Sequence, residues 1–171
     1  MSGIMFGMLL SAAMFAAAAA PKTYSDDPIH YVVTVPAGCT LRPKTKTVYS
    51  FIDCGKSYSR VAAGTGSDMP SLQKLVNTII SNWDNLKLLE NEPGASLGGV
   101  TARTIYAEGT VGGQPDSILM LAATNGGRWY VLVMAAPQSE WVDDSARYFP
   151  FVKSGFHFTA KPAAKPAPKK K

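Results

Sequence analysis

Two neighbouring segments, SILMLAAT (Ser117–Thr124) and RWYVLVMAA (Arg128–Ala136), are apolar on both faces and joined only by Asn125-Gly126-Gly127. A strand sends successive side chains to opposite sides, so Ile118, Met120 and Ala122 oppose Leu119, Leu121 and Ala123. Likewise Trp129, Val131 and Val133 oppose Tyr130, Leu132 and Met134. Asn-Gly-Gly is tight-turn chemistry, which makes the two segments antiparallel neighbours. Neither side of such a pair can face water, so the fold must supply cover on both.

The rest of the chain offers further strands and two sources of cover. Val100–Thr110 precedes the pair through Gly112-Gly113 and Pro115-Asp116 and completes an antiparallel meander. Upstream, His30–Val35, Thr47–Asp53 and Tyr58–Ala63 read as strands, the first stopped by Pro36-Ala37-Gly38. Lys87–Glu92 reads as a short strand followed by a loop over Pro93–Gly99. Between Pro70 and Trp83 the period changes. Leu72, Leu75, Val76, Ile79, Ile80 and Trp83 form one helical stripe, with Ser67 or Asp68 able to cap its first turn. Glu140–Val152 is the second helical candidate, presenting Trp141, Val142, Phe149 and Val152, with Ser139 as cap and Pro150 dividing it. Phe156-His157-Phe158 closes the body as a short strand. The expected class is therefore α+β, an antiparallel meander sandwiched between helices in an α/β/α arrangement.

The chain ends point to a compartment. Gly3–Ala20 is an uncharged apolar run closing on small residues, which reads as an export signal cleaved near Ala18–Ala20 (domain boundary 1–20). An uncleaved anchor formed by residues 3–20, holding the domain outside the membrane, is the alternative. Residues 21–159 then form a single domain, and residues 160–171 (AKPAAKPAPKKK) a disordered, extended tail rich in Lys, Pro and Ala. Cys39 and Cys54 are the only cysteines. In an oxidising periplasmic or secreted setting they are expected to form a disulfide, since the spacing is not Cys-x-x-Cys.

Charge is segregated. Of the net +5, Lys161, Lys165, Lys169, Lys170 and Lys171 supply five positive charges, and the remaining basic residues balance the acids. The pI near 9.2 describes the tail, so a nucleic-acid-binding body is not expected. The tail is either a solubilising terminus or a tether for anionic lipid or an acidic envelope polymer. Arg42, Lys44 and Lys46 alternate along a possible edge strand, where they either block edge pairing or join the tail in gripping an acidic partner.

Motifs for chemistry are sparse. Gly64-Thr65-Gly66-Ser67-Asp68 lacks the third glycine of a dinucleotide fingerprint and the Gly-Lys-Ser/Thr of a P-loop. Asp26, Asp27 and His30 lie close in sequence, but in what reads as a flexible leader, which is a poor metal site. Asp143-Asp144 reads as a solvated helix face, and His157 as a structural histidine between two phenylalanines. No cofactor, metal or catalytic residues are assigned.

GGVTARTIY, GGRWYVLVMAAP and ARYFPFVKSGFHF, together with the early HYVVTVPAGC, carry a resemblance to the PsbP/DcrB-like superfamily. Ser154-Gly155-Phe156 replaces the adjacent Ser-Phe of that pattern. The resemblance implies an α/β/α sandwich and a mostly non-catalytic docking role, as in extrinsic subunits of photosynthetic complexes, bacterial envelope proteins and a nuclear-import factor. It transfers no residue-level site. The functional expectation is an exported accessory or binding protein of the cell envelope with a protein partner. A small hydrolase with a carboxylate site and a carrier of an apolar ligand remain the alternatives.

Overall fold

A computed structural model describes residues 20–42, 48–66, 68–71, 75 and 83–159. Among these, antiparallel strands dominate. A three-stranded sheet in the order β1-β2-β10 contains Lys22–Asp26, Tyr31–Val35 and His157–Phe158. A seven-stranded sheet follows the order β3-β4-β5-β9-β8-β7-β6. Its first three strands are β3 (Thr40–Arg42), β4 (Val48–Cys54) and β5 (Ser57–Thr65). The others are β6 (Asp84–Leu97), β7 (Val100–Val111), β8 (Gln114–Asn125) and β9 (Arg128–Pro137). Two short helices, α1 (Trp141–Arg147) and α2 (Phe149–Ser154), lead into β10.

The meander forms as its sequence requires. Strands β7, β8 and β9 pair antiparallel, with Leu121 opposite Leu132 and Ala122 opposite Val131. Both sides of the β8–β9 pair are filled. Leu121, Ala123, Tyr130, Leu132 and Met134 enter one buried cluster, while Ile118, Met120, Ala122, Val131, Val133 and Ala135 enter another. Removing that much apolar surface from water on two sides is the main stabilisation the fold has.

The cover is different from the helical sandwich expected, and the α/β/α class does not hold. On the Tyr130 side the covering layer is a second sheet. Tyr31, Val33 and Val35 of β2 point inward and are almost fully buried, because HYVVTV alternates with period two and presents an apolar stripe of its own. Phe156 stacks on Tyr31 at 5.6 Å between ring centroids, and Phe158 meets Tyr130 edge-on at 4.8 Å. The Tyr130 hydroxyl donates to the Ile29 carbonyl at 2.7 Å, so its one polar group is satisfied inside the apolar layer. Helices contribute little here. α2 adds Phe149 and Val152, whereas α1 buries no residue and leaves Val142 77% exposed. The fold is β-rich, with sheet packed on sheet.

On the opposite side, Leu75 and Trp83 are buried against β7, β8 and β9. The Leu75 amide bonds the Ser71 carbonyl at 3.0 Å. Most of the helix expected over Pro70–Trp83, and the Ser67 cap, lie outside the described residues.

Local expectations fare unevenly. The helical candidate over Glu140–Val152 divides at Tyr148, just before Pro150, but Glu140 rather than Ser139 precedes α1 and no side chain caps it. The loop expected over Pro93–Gly99 is instead mostly strand. Its Pro93 sits opposite Arg103 on the edge strand β6, where a missing N–H costs no ladder bond. The expected flexible leader is β1, paired along β2 from Lys22↔Val35 to Asp26↔Tyr31. Cys39 and Cys54 are disulfide-bonded, tying the turn before β3 to the end of β4.

Candidate functional site

Among the described residues, several polar groups singled out in the sequence help hold the fold. Arg42 pairs with Asp53 and lies over the Phe51 ring at 5.3 Å, so its charge is locally neutralised on the edge strand β3. Phe51 stacks on Tyr58 at 5.1 Å, and the Arg60 guanidinium lies 5.5 Å from the Tyr58 ring. Burial pushes the Arg60 pKa down, opposed by the neighbouring Tyr58. Lys44 and Lys46, and the tail lysines Lys161, Lys165, Lys169, Lys170 and Lys171, lie outside the described residues.

Other candidates lie at strand ends and turns. Asp26 is buried at the end of β1, where the Tyr24 hydroxyl donates to it at 3.3 Å, and Asp27 accepts from Ser25 at 2.7 Å. The His30 amide bonds the Asp26 carbonyl, and His30 itself takes a left-handed conformation. Among the described residues, no three His, Cys, Asp or Glu side chains converge as metal ligands. Gly64 lies directly beneath the Trp129 ring, and the Gly66 amide bonds the Gly127 carbonyl. Gly64 and Thr65 thus end β5 opposite Trp129 and Arg128, while Ser67 lies outside the described residues. Asp144 accepts from Ser57, and Glu140 pairs with Lys56 at 2.6 Å, so these two acids face the β4–β5 turn while Asp143 is exposed. Asp116 has its pKa raised by desolvation at the start of β8.

A different surface stands out, formed by α2 and what flanks it. Phe149 and Val152 anchor the helix in the core, which turns Phe151 and Lys153 outward. Gly155 brings the end of α2 against β2, since any Cβ there would lie 2.1 Å from Thr34 Oγ1. The helix thus becomes a ridge between two shallow depressions. One, of about 200 Å³, is lined by Pro21, Pro36, Ala37, Arg147, Tyr148 and Phe151. The other, of about 370 Å³, is lined by Pro150, Lys153, Ser154, His157 and the left-handed turn Gly98-Gly99. Phe151 is 57% exposed, and Arg147 lies 5.0 Å from the Tyr148 ring.

Sequence reasoning assigned no role to Arg147, Phe151 or Lys153, and read His157 as structural. The apolar face expected for this segment held Phe149 and Val152, which are buried, and left out Phe151, but it also included Val142, which is 77% exposed.

This arrangement of sheets and terminal helices has known counterparts. The solution structure of cyanobacterial PsbP (CyanoP) from Synechocystis sp. PCC 6803 superposes with a TM-score of 0.57 at 17% identity, covering 87% of this chain and 98% of that one. The fold is PsbP-like. The Saccharomyces cerevisiae Ran-binding protein Mog1p matches it with a TM-score of 0.53 at 11% identity, over 81% of this chain and 95% of its own. A Bacteroides thetaiotaomicron protein gives 0.56 at 10% identity, over 85% of this chain and 51% of its own. No protein-family model and no curated protein sequence matches the chain. At such identities the PsbP-like likeness is one of fold, and function has to be argued from the surface.

Proposed function

We propose that this chain is an exported, non-catalytic accessory protein of the bacterial cell envelope, docking a protein partner and using its lysine-rich terminus on anionic surfaces. The observation that carries this reading is the contrast between polar groups spent on structure and the ridge around α2. Asp53, Glu140 and Asp144 each hold a neighbouring strand or turn. Arg147 and Lys153 stand in no ion pair among the described residues, beside an exposed aromatic ring. A surface of that composition suits binding more than bond making, which needs converging acids and bases in a cleft. Export is supported by the apolar run Gly3–Ala20 and by the disulfide. The PsbP-like fold is shared with a protein described as Ran-binding, which is in keeping with a docking role.

Two measurements test this. Full-length chain expressed in a bacterial host should appear in the periplasmic fraction with its mass reduced by cleavage near Ala20; retention in the cytoplasm would refute export. Mature protein should bind isolated envelope in a salt-sensitive way that deletion of Lys161–Lys171 abolishes. Unchanged binding after that deletion would remove the tether from the account.

A further inference from the structure

We infer that the exposed ridge of α2 is a membrane-contact face, with Phe151 entering the interfacial layer of an anionic phospholipid bilayer and Arg147 and Lys153 reaching its headgroups. The inference goes beyond the partner-docking reading above, giving this face a lipid surface instead, and rests only on the envelope location.

Three observations converge on this helix. The first is composition. A large ring that is 57% exposed, with a cation on either side in sequence, matches the amphipathic pattern of surfaces lying on a membrane. Phe149 and Val152 hold the helix in the core, so Phe151 stays exposed without a disturbance elsewhere.

The second is charge. Arg147 and Lys153 stand in no ion pair among the described residues, while Glu140 and Asp144 are drawn toward Lys56 and Ser57, leaving Asp143 as the exposed acid of α1. The ridge therefore presents positive charge around an apolar tip, complementary to an anionic headgroup layer.

The third is where the chain leaves the described body. Pro21 lines the same depression as Phe151, and directly before it runs the eighteen-residue apolar segment Gly3–Ala20. On the other side of α2, the Thr159 amide bonds the His30 carbonyl, two residues after His157, and the lysine-rich segment follows at once. The two segments best suited to a bilayer thus join the body on either side of one helix. The mature protein keeps only the second, so the lysine-rich segment alone would bring a membrane near the α2 side of the body. Single weak anchors bind bilayers only marginally, so an apolar tip and a basic cluster are effective in combination.

The test uses residues 21–171, which contain both buried clusters and the disulfide. Co-sedimentation with phosphatidylcholine vesicles is compared with co-sedimentation with mixed phosphatidylcholine–phosphatidylglycerol vesicles. Wild-type protein should partition onto the anionic vesicles only. Phe151→Ser should weaken that partitioning by about tenfold, and Lys153→Glu by about fivefold. Val142→Ser, on the acid-flanked α1 and more exposed than Phe151, should leave it unchanged. Wild-type-like partitioning of both α2 variants would overturn the inference. So would equal binding to neutral vesicles, or absence of vesicle binding with concentration-dependent dimerisation lost in Phe151→Ser. Removing Lys161–Lys171 separates this from the tether. If the shortened protein still binds and depends on Phe151, the face stands and the tether falls. If it loses binding while Phe151→Ser in the intact chain does not, the face falls and the tether stands.

Discussion

The β8–β9 pair and the α2 ridge use the same kinds of residue to opposite ends. In the strands, each apolar side chain finds a partner: Leu132 meets the β2 sheet while Val131 and Val133 meet the other cluster. On α2, two of three large apolar side chains are buried and the third stands in solvent. Burial in the first region is spent on stability, and exposure in the second is available for binding. The difference lies in geometry. A central strand is enclosed on both faces, whereas a six-residue helix at the edge of the body has only one side to bury.

Changes in the first region should unfold the protein, and changes in the second should not. Leu132→Ala removes side-chain volume from a site with no exposure and should lower unfolding stability by about 2–5 kcal/mol, read by urea denaturation. Replacing both Cys39 and Cys54 by serine opens a fifteen-residue loop and should cost about 3 kcal/mol by the same method. Gly155→Val sets a branched side chain against Thr34 and the Phe151 carbonyl, and should cost about 1–3 kcal/mol while displacing the α2 ridge. Phe151→Ser should change stability by less than about 0.5 kcal/mol, although it alters the ridge directly. A loss as large as that of Leu132→Ala would place Phe151 in the core and end the contrast.

The smallest effect concerns Asp116. Desolvation raises its pKa, so the folded state holds the proton more tightly than the unfolded chain does. That contribution to stability is fully present below the ordinary carboxylate pKa and is lost as pH rises through the raised value. Asp116→Asn should therefore be slightly more stable than wild type at neutral pH, with the difference closing in acid. A difference of the same size at both pH values would rule out titration as its cause.

The meander was legible because two signals agree there: period-two patterning on the strands and Gly-rich turns at Gly112-Gly113 and Gly126-Gly127. The closing strand and the division near Pro150 were legible for similarly local reasons. β1 was not. KTYSD carries one aromatic and no alternating apolar stripe, and its strand state comes from pairing with β2. The full length of β6 was hidden by Pro93-Gly94, which signals a loop but is tolerated at a sheet edge interrupted by three register shifts. Missing β1 also hid the second sheet, so the cover on the Tyr130 side was assigned to a helix. The ridge was illegible for a further reason. The expected face separated Phe149 and Val152 from Phe151 but ran on through Val142, which the break at Tyr148 leaves exposed, and Gly155 against Thr34 sets α2 on the body through a contact distant in sequence.

Hydrogen exchange of the mature protein with and without anionic vesicles addresses both regions in one measurement. Amides of β8 and β9 should be strongly protected and unaffected by vesicles, while added protection should concentrate between Arg147 and His157. Vesicle-induced protection at the exposed β6 edge in place of α2, or rapid exchange within β8 and β9, would contradict the account.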